Sequence, residues 1–363
     1  MKALLSGNMA IAEGAMRAGL TFFAGYPITP ASEIMEYLAE RLPKRGGVVV
    51  QMEDEIASAM AAIGASWAGA KSMTATSGPG FSLMLESISF AVISETPLVF
   101  VHVMRAGPST GIPTKAGQAD VFQARWGAHG DYVIPVYAPW GAQEAFDLTI
   151  KAFNVSEELR TPAIVLSDAV IAHTWEPVEL EKEVAIVERR VGPEGEMGAL
   201  VSPMPVFGRG LRGIVESLIH DEKGYYAQDP STFRHFITRL RDKVLARLGE
   251  IYEHEAYWID GADVVLVSYG STARAAFVAA RKLREKGVRA GFLRLKTLWP
   301  LDEQAMEKAL GGASKVFVVE NNIGKVYLDV RRAARHADVV SVPLLTTEAP
   351  SPSEVLASVR GLL

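Results

Sequence analysis

The sequence predicts an α/β protein with two parallel-sheet domains and an irregular connector between them. Short apolar runs that indicate buried strands alternate with helical segments over residues 1–175, and the alternation returns over residues 261–363. Such alternation is typical of a parallel sheet covered by helices on both faces. Residues 176–260 lack it, because Glu/Lys runs and Pro/Gly-rich segments precede a polar helix there.

In the first domain, the apolar runs predict strands at 21–25, 47–51, 71–76, 97–103, 133–137 and 163–167. Helices are predicted at 10–20, 30–42, 81–93 and 141–156, and one more follows three acids at 53–55. Residues 104–130, rich in Gly, Pro, Thr and Gln, indicate a long loop. A loop of this length inside a compact domain is usually functional.

The connector is predicted to contain a long helix at 233–253. In the second domain, strands are predicted at 264–268, 289–295, 315–319 and 339–342, and helices at 272–286, 302–310, 325–335 and 352–362.

Composition excludes several classes of function. Of the 363 residues, 49% are apolar and 22% charged, and the net charge of −5 without a Lys/Arg cluster argues against nucleic-acid binding. The absence of cysteine excludes disulfides, thiolate nucleophiles and cysteine-bound iron–sulfur clusters within this chain. We expect no membrane span, since no apolar run reaches about 18 residues, and a cytoplasmic location, since no secretory signal is apparent. Scarce asparagine and absent cysteine are typical of a thermophilic source.

Residues 51–69 hold the strongest candidate for chemistry. Glu53, Asp54 and Glu55 precede a run rich in Ala, Gly and Ser that has no charge before Lys71. A helix that is apolar all round is expected to be buried. The helix dipole favours acids at its N-terminus, which is enough to explain Glu53 and Asp54. It explains Glu55 less well, because a buried carboxylate needs a partner.

Ligands of open parallel sheets bind outside the carboxyl ends of the strands. Thr29, after the first strand, either caps the next helix or directs its hydroxyl toward a substrate oxygen. Ser77-Gly-Pro-Gly80, after the third, is either a close-packing turn or an anion site at a helix N-terminus. Arg105, after the fourth, is either a solvated rim residue or a bidentate clamp for a carboxylate.

Two further polar features have structural interpretations. His102 lies inside the fourth strand, where we expect a core or interface histidine with satisfied hydrogen bonds. The turn Tyr269-Gly-Ser-Thr272 of the second domain is expected to be an ordinary helix cap.

Together these segments resemble a known family. The motifs stand in order at the strand ends: Gly25-Tyr-Pro-Ile-Thr-Pro30, Met52-Glu-Asp-Glu-Ile-Ala57, Thr76-Ser-Gly-Pro-Gly-Phe81, Arg105 and Gly107-Pro-Ser-Thr-Gly111. Over essentially its whole length the chain resembles the alpha subunits of the 2-oxoacid:ferredoxin oxidoreductases, most of all the 2-oxoglutarate and branched-chain types. The resemblance implies a thiamine-diphosphate pyrimidine-binding-type first domain and a smaller, transketolase C-terminal-like second domain.

The resemblance also assigns roles to the strand-end residues. It implies that Glu55 is catalytic and bonds N1′ of the thiamine aminopyrimidine, with Glu53 as the fallback. It places Thr29 and Arg105 against the 2-oxoacid, Arg105 at its carboxylate. The remaining expected contacts are Ile28 for the substrate and Pro27, Ser77 and Gly78 for the cofactor.

Two absent motifs imply a partner. The chain has no Gly-Asp-Gly followed by the Asn that, in the family, holds Mg²⁺ and diphosphate, and it has no cysteine for a cluster. In the family both belong to the beta subunit. The resemblance thus implies half an active site without a metal of its own, completed by a beta subunit in an (alpha-beta)2 assembly that uses ferredoxin and coenzyme A.

The family likeness favours 2-oxoglutarate among the possible substrates. A second cation would have to meet its distal carboxylate, and Lys115, Arg125 or the beta subunit are candidates. Pyruvate or a branched-chain 2-oxoacid would need an apolar wall, which Ile28, Phe81 and Ile112 would form. An E1- or transketolase-like subunit and a nucleotide-binding scaffold without chemistry are the alternative functions.

Overall fold

The structure is a computed structural model that describes residues 2–181, 183–193 and 199–362. Within the expected connector at 176–260, residues 182 and 194–198 lie outside the described residues. The predicted α/β class is confirmed. No helix in the described ranges has both the length and the apolar character that crossing a membrane requires.

The first part of the chain forms, in order, β1 (Lys2–Ser6), α1 (Gly7–Arg17), β2 (Phe22–Gly25), α2 (Ser32–Arg41), β3 (Val48–Gln51), α3 (Glu55–Trp67), β4 (Ser72–Thr76), α4 (Pro79–Ile93), β5 (Leu98–Met104), α5 (Val121–Trp126), β6 (Val136–Tyr137), α6 (Ala142–Leu159), β7 (Pro162–Asp168), α7 (Ala169–His173) and β8 (Trp175–Glu179). The later part forms α8 (Pro230–Leu245), α9 (Leu248–Ile251), β9 (His254–Tyr257), β10 (Val264–Ser268), α10 (Gly270–Arg284), β11 (Ala290–Leu295), β12 (Thr297–Trp299), α11 (Glu303–Leu310), β13 (Lys315–Glu320), α12 (Val326–Ala333), β14 (Asp338–Pro343) and α13 (Pro352–Arg360).

The first sheet has the order β12-β6-β7-β5-β4-β2-β3, and every pair is parallel except the β12–β6 edge. All residues of the central strands β5 and β7 are buried, as expected for strands covered on both faces. The edge strand β12 comes from the second domain, so the two domains are joined through this sheet. β12 was not predicted, because a three-residue strand carries too short an apolar pattern to indicate a strand.

The second sheet has the order β14-β13-β10-β11-β9, parallel except for the antiparallel pair β11–β9. Strand β9 lies within the expected connector, directly after the helix that was predicted at 233–253. That prediction is wrong near its C-terminal end: α8 ends at Leu245, the separate four-residue helix α9 follows, and β9 then pairs with β11. Pairing with a distant strand is a tertiary interaction that local helical spacing does not report.

The start of the connector is also more ordered than expected. β8 pairs with β1 in a separate antiparallel sheet that the sequence analysis missed. Helix α8 is anchored to the first domain through the buried carboxylate of Glu95, which lies 2.6 Å from Arg239 Nη2 and 2.7 Å from Lys243 Nζ. Burial alone would raise the pKa of Glu95, but these cations hold it well below its usual range. Burial also lowers the pKa of Lys243, to about 8.

The two domains share one apolar core. A single cluster of buried side chains contains Phe81, Phe100 and Leu166 of the first domain together with Val265 and Leu293 of the second. The second domain is therefore packed on the first rather than tethered to it.

Helix α3 differs from its prediction in one respect. It was expected to have almost no solvent-exposed face, but Ile56 and Met60 are 48% and 42% exposed, and Gly64 continues the same stripe. The opposite face, with Ala59, Ile63 and Trp67, is buried as expected. Nothing in the described chain covers the apolar stripe, and such uncovered surface usually marks an interaction site.

Candidate active site

Four strand-end loops converge at one edge of the first sheet. Strands β5, β4, β2 and β3 are consecutive neighbours and parallel, so their carboxyl ends lie side by side. The loops that follow them carry the motifs at 26–30, 53–55, 77–80 and 105–111. The parallel order therefore brings together the residues predicted from four separate segments.

Glu55 is the buried acid of this edge. It is the first residue of α3 and only 5% exposed, and no hydrogen bond or ion pair from the described residues reaches its carboxylate. Its Oε1 lies 2.3 Å from the point where a Cβ on Gly80 would stand, and Thr76 Oγ1 lies 2.2 Å from that point. Glycine at position 80 therefore lets the first turn of α4 come up against the Glu55 carboxylate. A carboxylate left unpaired in a buried setting is costly unless a ligand completes it.

The other two acids occupy different positions. Asp54 is the N-cap of α3, and its Oδ1 accepts a hydrogen bond from Ala57 N at 2.8 Å. Asp54 thus has a structural place at the N-terminus of α3, as the helix-dipole interpretation expected. Glu53 is exposed and takes no part in the cap. Of the three acids, Glu55 is the one that faces the converging loops from a buried position.

The turn after β4 presents unpaired polar atoms to the same edge. Thr76 Oγ1 and Ser77 Oγ are buried and have no hydrogen-bond partner among the described residues. Gly78 adopts φ +46°, a conformation that favours glycine, and is the N-cap of α4 without any side-chain cap. Predicted cofactor residues Ser77 and Gly78 therefore lie where a polar ligand would satisfy the turn.

Arg105 ties three of the loops together. Its Nη1 donates to Thr29 O at 2.7 Å and its Nη2 donates to Thr110 O at 2.9 Å, while its Nε has no partner among the described residues. A Cβ on Gly78 would stand 3.2 Å from that Nε. Burial lowers the pKa of Arg105, and the charges of Asp120 and Glu55 oppose the shift. Arg105 is thus buried rather than a solvated rim residue.

Of the two interpretations of Thr29 in the loop at 26–30, the helix cap is wrong. Thr29 does not cap a helix: α2 begins at Ser32, and its N-cap residue Ala31 makes no side-chain cap bond. The reason is a turn closed by a hydrogen bond from Ala31 N to Ile28 O at 2.8 Å, which delays the helix. Pro27 and Thr29 are exposed and Ile28 is half-buried, so all three remain accessible at the edge.

His102 belongs to this edge, which the sequence analysis did not predict. It is fully buried in β5, its Nε2 accepts a hydrogen bond from Gly78 N at 3.2 Å, and its ring stacks on Phe81 at 4.3 Å. The same Nε2 lies 3.2 Å from Asp120 Oδ2, and Nδ1 has no partner among the described residues. The expectation of a satisfied histidine is therefore wrong. Its place a few residues before Arg105, inside β5, was the available signal.

Comparison with known proteins identifies the family. The family model described as pyruvate flavodoxin/ferredoxin oxidoreductase, thiamine diphosphate-binding, matches residues 13–235, and the pyruvate:ferredoxin oxidoreductase core domain II model matches residues 262–347. This chain belongs to the 2-oxoacid:ferredoxin oxidoreductases, as an alpha subunit. The resemblance found in the sequence motifs is thereby confirmed, and the protein is an enzyme subunit.

Curated relatives match nearly the full chain. The 2-oxoglutarate synthase subunits KorA of Methanothermobacter marburgensis and Methanocaldococcus jannaschii are 45% and 44% identical, covering 99% and 98% of this chain and 98% and 99% of their own lengths. The ketoisovalerate oxidoreductase subunit VorB of Methanothermobacter thermautotrophicus is 35% identical over 98% of this chain and 97% of its own.

Solved structures agree with this family. A 2-oxoglutarate:ferredoxin oxidoreductase from Magnetococcus marinus, solved with 2-oxoglutarate, coenzyme A and succinyl-CoA bound, aligns with 99% of this chain at a TM-score of 0.92 and 33% identity. This chain spans 65% of that neighbour's length. A split-gene transketolase, described as an inactive beta4 tetramer, aligns with 99% of this chain and 98% of its own at a TM-score of 0.58 and 14% identity, which shows the fold alone.

The carboxyl-end edge of the first sheet fits the thiamine diphosphate that the matched family model is described as binding. A polar heterocycle needs hydrogen-bonding groups, and the unpaired Glu55 carboxylate with the unpaired Thr76 and Ser77 hydroxyls supplies them in a buried place. These groups would hold the ring end of the cofactor.

Of the two candidate cations for the distal carboxylate of 2-oxoglutarate, Arg125 is already occupied by other contacts and Lys115 is partly exposed. Arg125 is not solvated: it is buried, lies 2.5 Å from Asp329, and is sandwiched between the rings of Trp126 and Trp299. It joins the two domains and is withdrawn as a substrate ligand. Lys115 is partly exposed and pairs with Glu348 of the second domain.

The three residues of the proposed apolar wall differ in exposure. Phe81 is fully buried against His102, Ile28 is half-buried, and Ile112 is exposed. Only the latter two offer accessible apolar surface.

Proposed function

We propose that this chain is the alpha subunit of a 2-oxoglutarate:ferredoxin oxidoreductase. The complex would decarboxylate 2-oxoglutarate, transfer the succinyl group to coenzyme A, and pass the electrons to ferredoxin. The observation that carries this proposal is the meeting of an unpaired buried carboxylate, Glu55, with a buried guanidinium, Arg105, at one sheet edge. The names of the KorA relatives and of the Magnetococcus marinus neighbour support the choice of 2-oxoglutarate.

Glu55 is proposed as the catalytic acid–base. When bound, thiamine diphosphate supplies the carbanion chemistry that decarboxylation next to a carbonyl requires. Glu55 would hold the aminopyrimidine ring at N1′ and exchange a proton there. It is buried at the start of α3, at the edge where the four strand-end loops meet. A positioned acid–base group of this kind contributes roughly 10²–10⁴-fold in rate.

Arg105 is proposed to bind the C1 carboxylate, which all 2-oxoacids share. Its bonds to Thr29 O and Thr110 O fix the plane of the guanidinium, and its Nε–H has no partner among the described residues. A fixed planar fork suits a carboxylate better than an ammonium group does. Thr29 and Ile28 would line the same position, with Pro27, Ser77 and Gly78 on the cofactor side.

A beta subunit is proposed to complete the site. The apolar stripe of Ile56, Met60 and Gly64 begins one residue after Glu55, so the uncovered surface adjoins the site. The partner would carry the Mg²⁺ and diphosphate ligands and the iron–sulfur cluster, whose motifs this chain lacks. An (alpha-beta)2 assembly is proposed from the family resemblance alone, and the cytoplasmic location stays a prediction.

Substrate choice is tested by a comparison of kcat/KM in the complex for 2-oxoglutarate, pyruvate, 2-oxobutyrate and 2-oxoisovalerate, with coenzyme A and ferredoxin or a viologen. We expect 2-oxoglutarate to be preferred at least tenfold, which is about 1.4 kcal/mol of transition-state binding. A tenfold preference for the apolar acids would contradict the proposal and indicate the wall of Ile28 and Ile112 instead. Lys115→Ala should weaken 2-oxoglutarate alone if Lys115 meets the distal carboxylate.

A further inference from the structure

A buried glutamine links the loop that carries Arg105 to the second domain. Gln118 is 1% exposed and lies at the end of the loop that starts at Arg105. Its Nε2 donates to Asp168 Oδ2 at 2.9 Å, and its Oε1 accepts from Thr272 Oγ1 at 2.6 Å. Its backbone oxygen accepts from Asn322 Nδ2 at 2.9 Å and from Tyr269 OH at 3.2 Å.

Asp168 ends β7 of the first sheet, and the other three contacts come from the carboxyl ends of the second sheet. Tyr269 and Thr272 follow β10, and Asn322 follows β13, its neighbour in that sheet. This is where an open parallel sheet usually binds a ligand. Here a glutamine of the first domain fills the position. Residues 269–272 therefore do not form an ordinary cap, since the N-cap residue Tyr269 makes no side-chain cap bond. Ser271 N donates instead to Asp168 Oδ2 of the first domain, and the Thr272 hydroxyl donates to Gln118.

Gln118 is coupled mechanically to Arg105. The preceding residue, Gly117, packs so tightly that a Cβ on it would stand 2.6 Å from Arg105 O. Ala106 N donates to Lys115 O at 3.0 Å, so both ends of the loop are joined next to Arg105. Ala116 N also donates to Thr347 O at 2.9 Å in the second domain. A shift at Gln118 would be transmitted to the Arg105 backbone within this short closed loop.

We infer that Gln118 and Thr272 are positioning residues, through which the second domain sets the place of Arg105 and hence the affinity for the 2-oxoacid carboxylate. The inference rests on the proposed role of Arg105. It assigns the second domain a part in substrate binding without any contact to substrate. Buried, fully paired amides of this kind hold a single geometry, since each lost partner leaves a buried group unsatisfied.

The test uses the whole complex and the variant Thr272→Val, which removes the hydroxyl and keeps the shape. We expect the KM for 2-oxoglutarate and for pyruvate to rise about tenfold, because small misplacements of a binding group are costly. The KM for coenzyme A and the calorimetric affinity for thiamine diphosphate should stay within twofold. Thr272→Ser should restore the wild-type KM. Thr149→Val is the matched control, since Thr149 is also fully buried but donates its hydroxyl to Ala145 O within α6.

A double-mutant cycle separates this inference from the proposed function. In an Arg105→Lys background, which should itself raise KM, Thr272→Val should add no further increase. Independent, multiplicative effects would overturn the inference, as would an unchanged KM in Thr272→Val alone while Arg105→Lys raises it. An unchanged KM in Arg105→Lys would instead overturn the role of Arg105 itself, and the inference with it.

If Thr272→Val does not fold, a second variant tests the same inference. Tyr269→Phe removes only the hydroxyl, which donates to Gln118 O and accepts from Asn322 Nδ2. It should raise the 2-oxoacid KM in the same direction and leave the KM for coenzyme A unchanged. Equal increases in both KM values, or none in either, would overturn the inference.

Discussion

At the scale of the residue, the site depends on which polar groups the fold leaves without partners. The Asp54 carboxylate caps α3, whereas Glu55, one residue later, is buried without a hydrogen bond from the described chain. Thr76 and Ser77 are left unpaired beside it. Native proteins pair most buried polar atoms, so a local group of unpaired ones indicates that a ligand completes them.

Glu55→Gln in the complex with its beta subunit should lose most activity, roughly 10²–10⁴-fold in kcat, because the amide keeps the shape but has no acid proton. Thiamine diphosphate should still bind, which calorimetry on the complex measures. Glu53→Gln is the matched control and should be close to wild type, since Glu53 is exposed. Near-normal turnover of Glu55→Gln together with an inactive Glu53→Gln would move the role to Glu53.

At the scale of the element, α3 has two different apolar faces. Its small and apolar residues Ala59, Ile63 and Trp67 pack inside the first domain, while Ile56 and Met60 remain outside. A helix that is apolar all round is buried on every side in its functional state. No described residue covers the second face, which supports the proposed contact with a beta subunit.

Ile56→Asp should weaken assembly with the beta subunit, because a carboxylate on the stripe would be desolvated at the contact. Co-purification of the two subunits should fall clearly, while the circular dichroism melt of the variant chain stays close to that of the wild type. Leu4→Asp is the matched control, since Leu4 is also exposed but lies on β1 in the separate two-stranded sheet. Equal recovery of the beta subunit with both variants would show that the stripe is not the contact.

At the scale of the whole molecule, charged groups join the two domains around Arg294 of β11. Arg294 is buried, pairs with Glu144 of α6, and lies 2.8 Å from Glu255 of β9, while Lys296 lies 2.9 Å from Glu255. Burial alone would raise the pKa of Glu255, but hydrogen bonds from Arg294, Tyr257 and Lys296 outweigh it and hold the pKa at about 2. A carboxyl whose pKa is lowered on folding stabilises the fold when it is ionised.

Stability should therefore depend on pH through Glu255. The stabilisation is present above its unfolded pKa of about 4.5 and is lost as the pH falls from there toward 2. In thermal melts between pH 6 and pH 3, Glu255→Gln should have a lower Tm than wild type at pH 6, and the gap should narrow at pH 3. Glu36→Gln, at an exposed site on α2, should follow the wild type throughout. A gap that stays constant with pH would contradict the assignment.

The isolated chain should be inactive and should not bind thiamine diphosphate tightly. The reason is that it lacks the Gly-Asp-Gly motif with the following Asn that holds Mg²⁺ and diphosphate in the family. Titration calorimetry of the purified single chain with cofactor and Mg²⁺ measures this directly. Tight binding at one site per chain would contradict the division of the site between two subunits.

What could be predicted from the sequence is what depends on neighbours along the chain. The alternation of strands and helices determined the α/β class, and parallel strands place their carboxyl-end loops at one edge, so the sequence alone was enough to group Glu55, Thr29 and Arg105. The tertiary structure decided what depends on distant residues. Strands β9 and β12 form through pairing with β11 and β6, and a short segment carries no record of a remote partner. Only the tertiary structure shows that Glu55 is buried while Glu53 is exposed. It also places Arg125 in contact with Asp329 and two tryptophan rings. His102 and Gln118 act through contacts with residues far along the chain, which local spacing does not report.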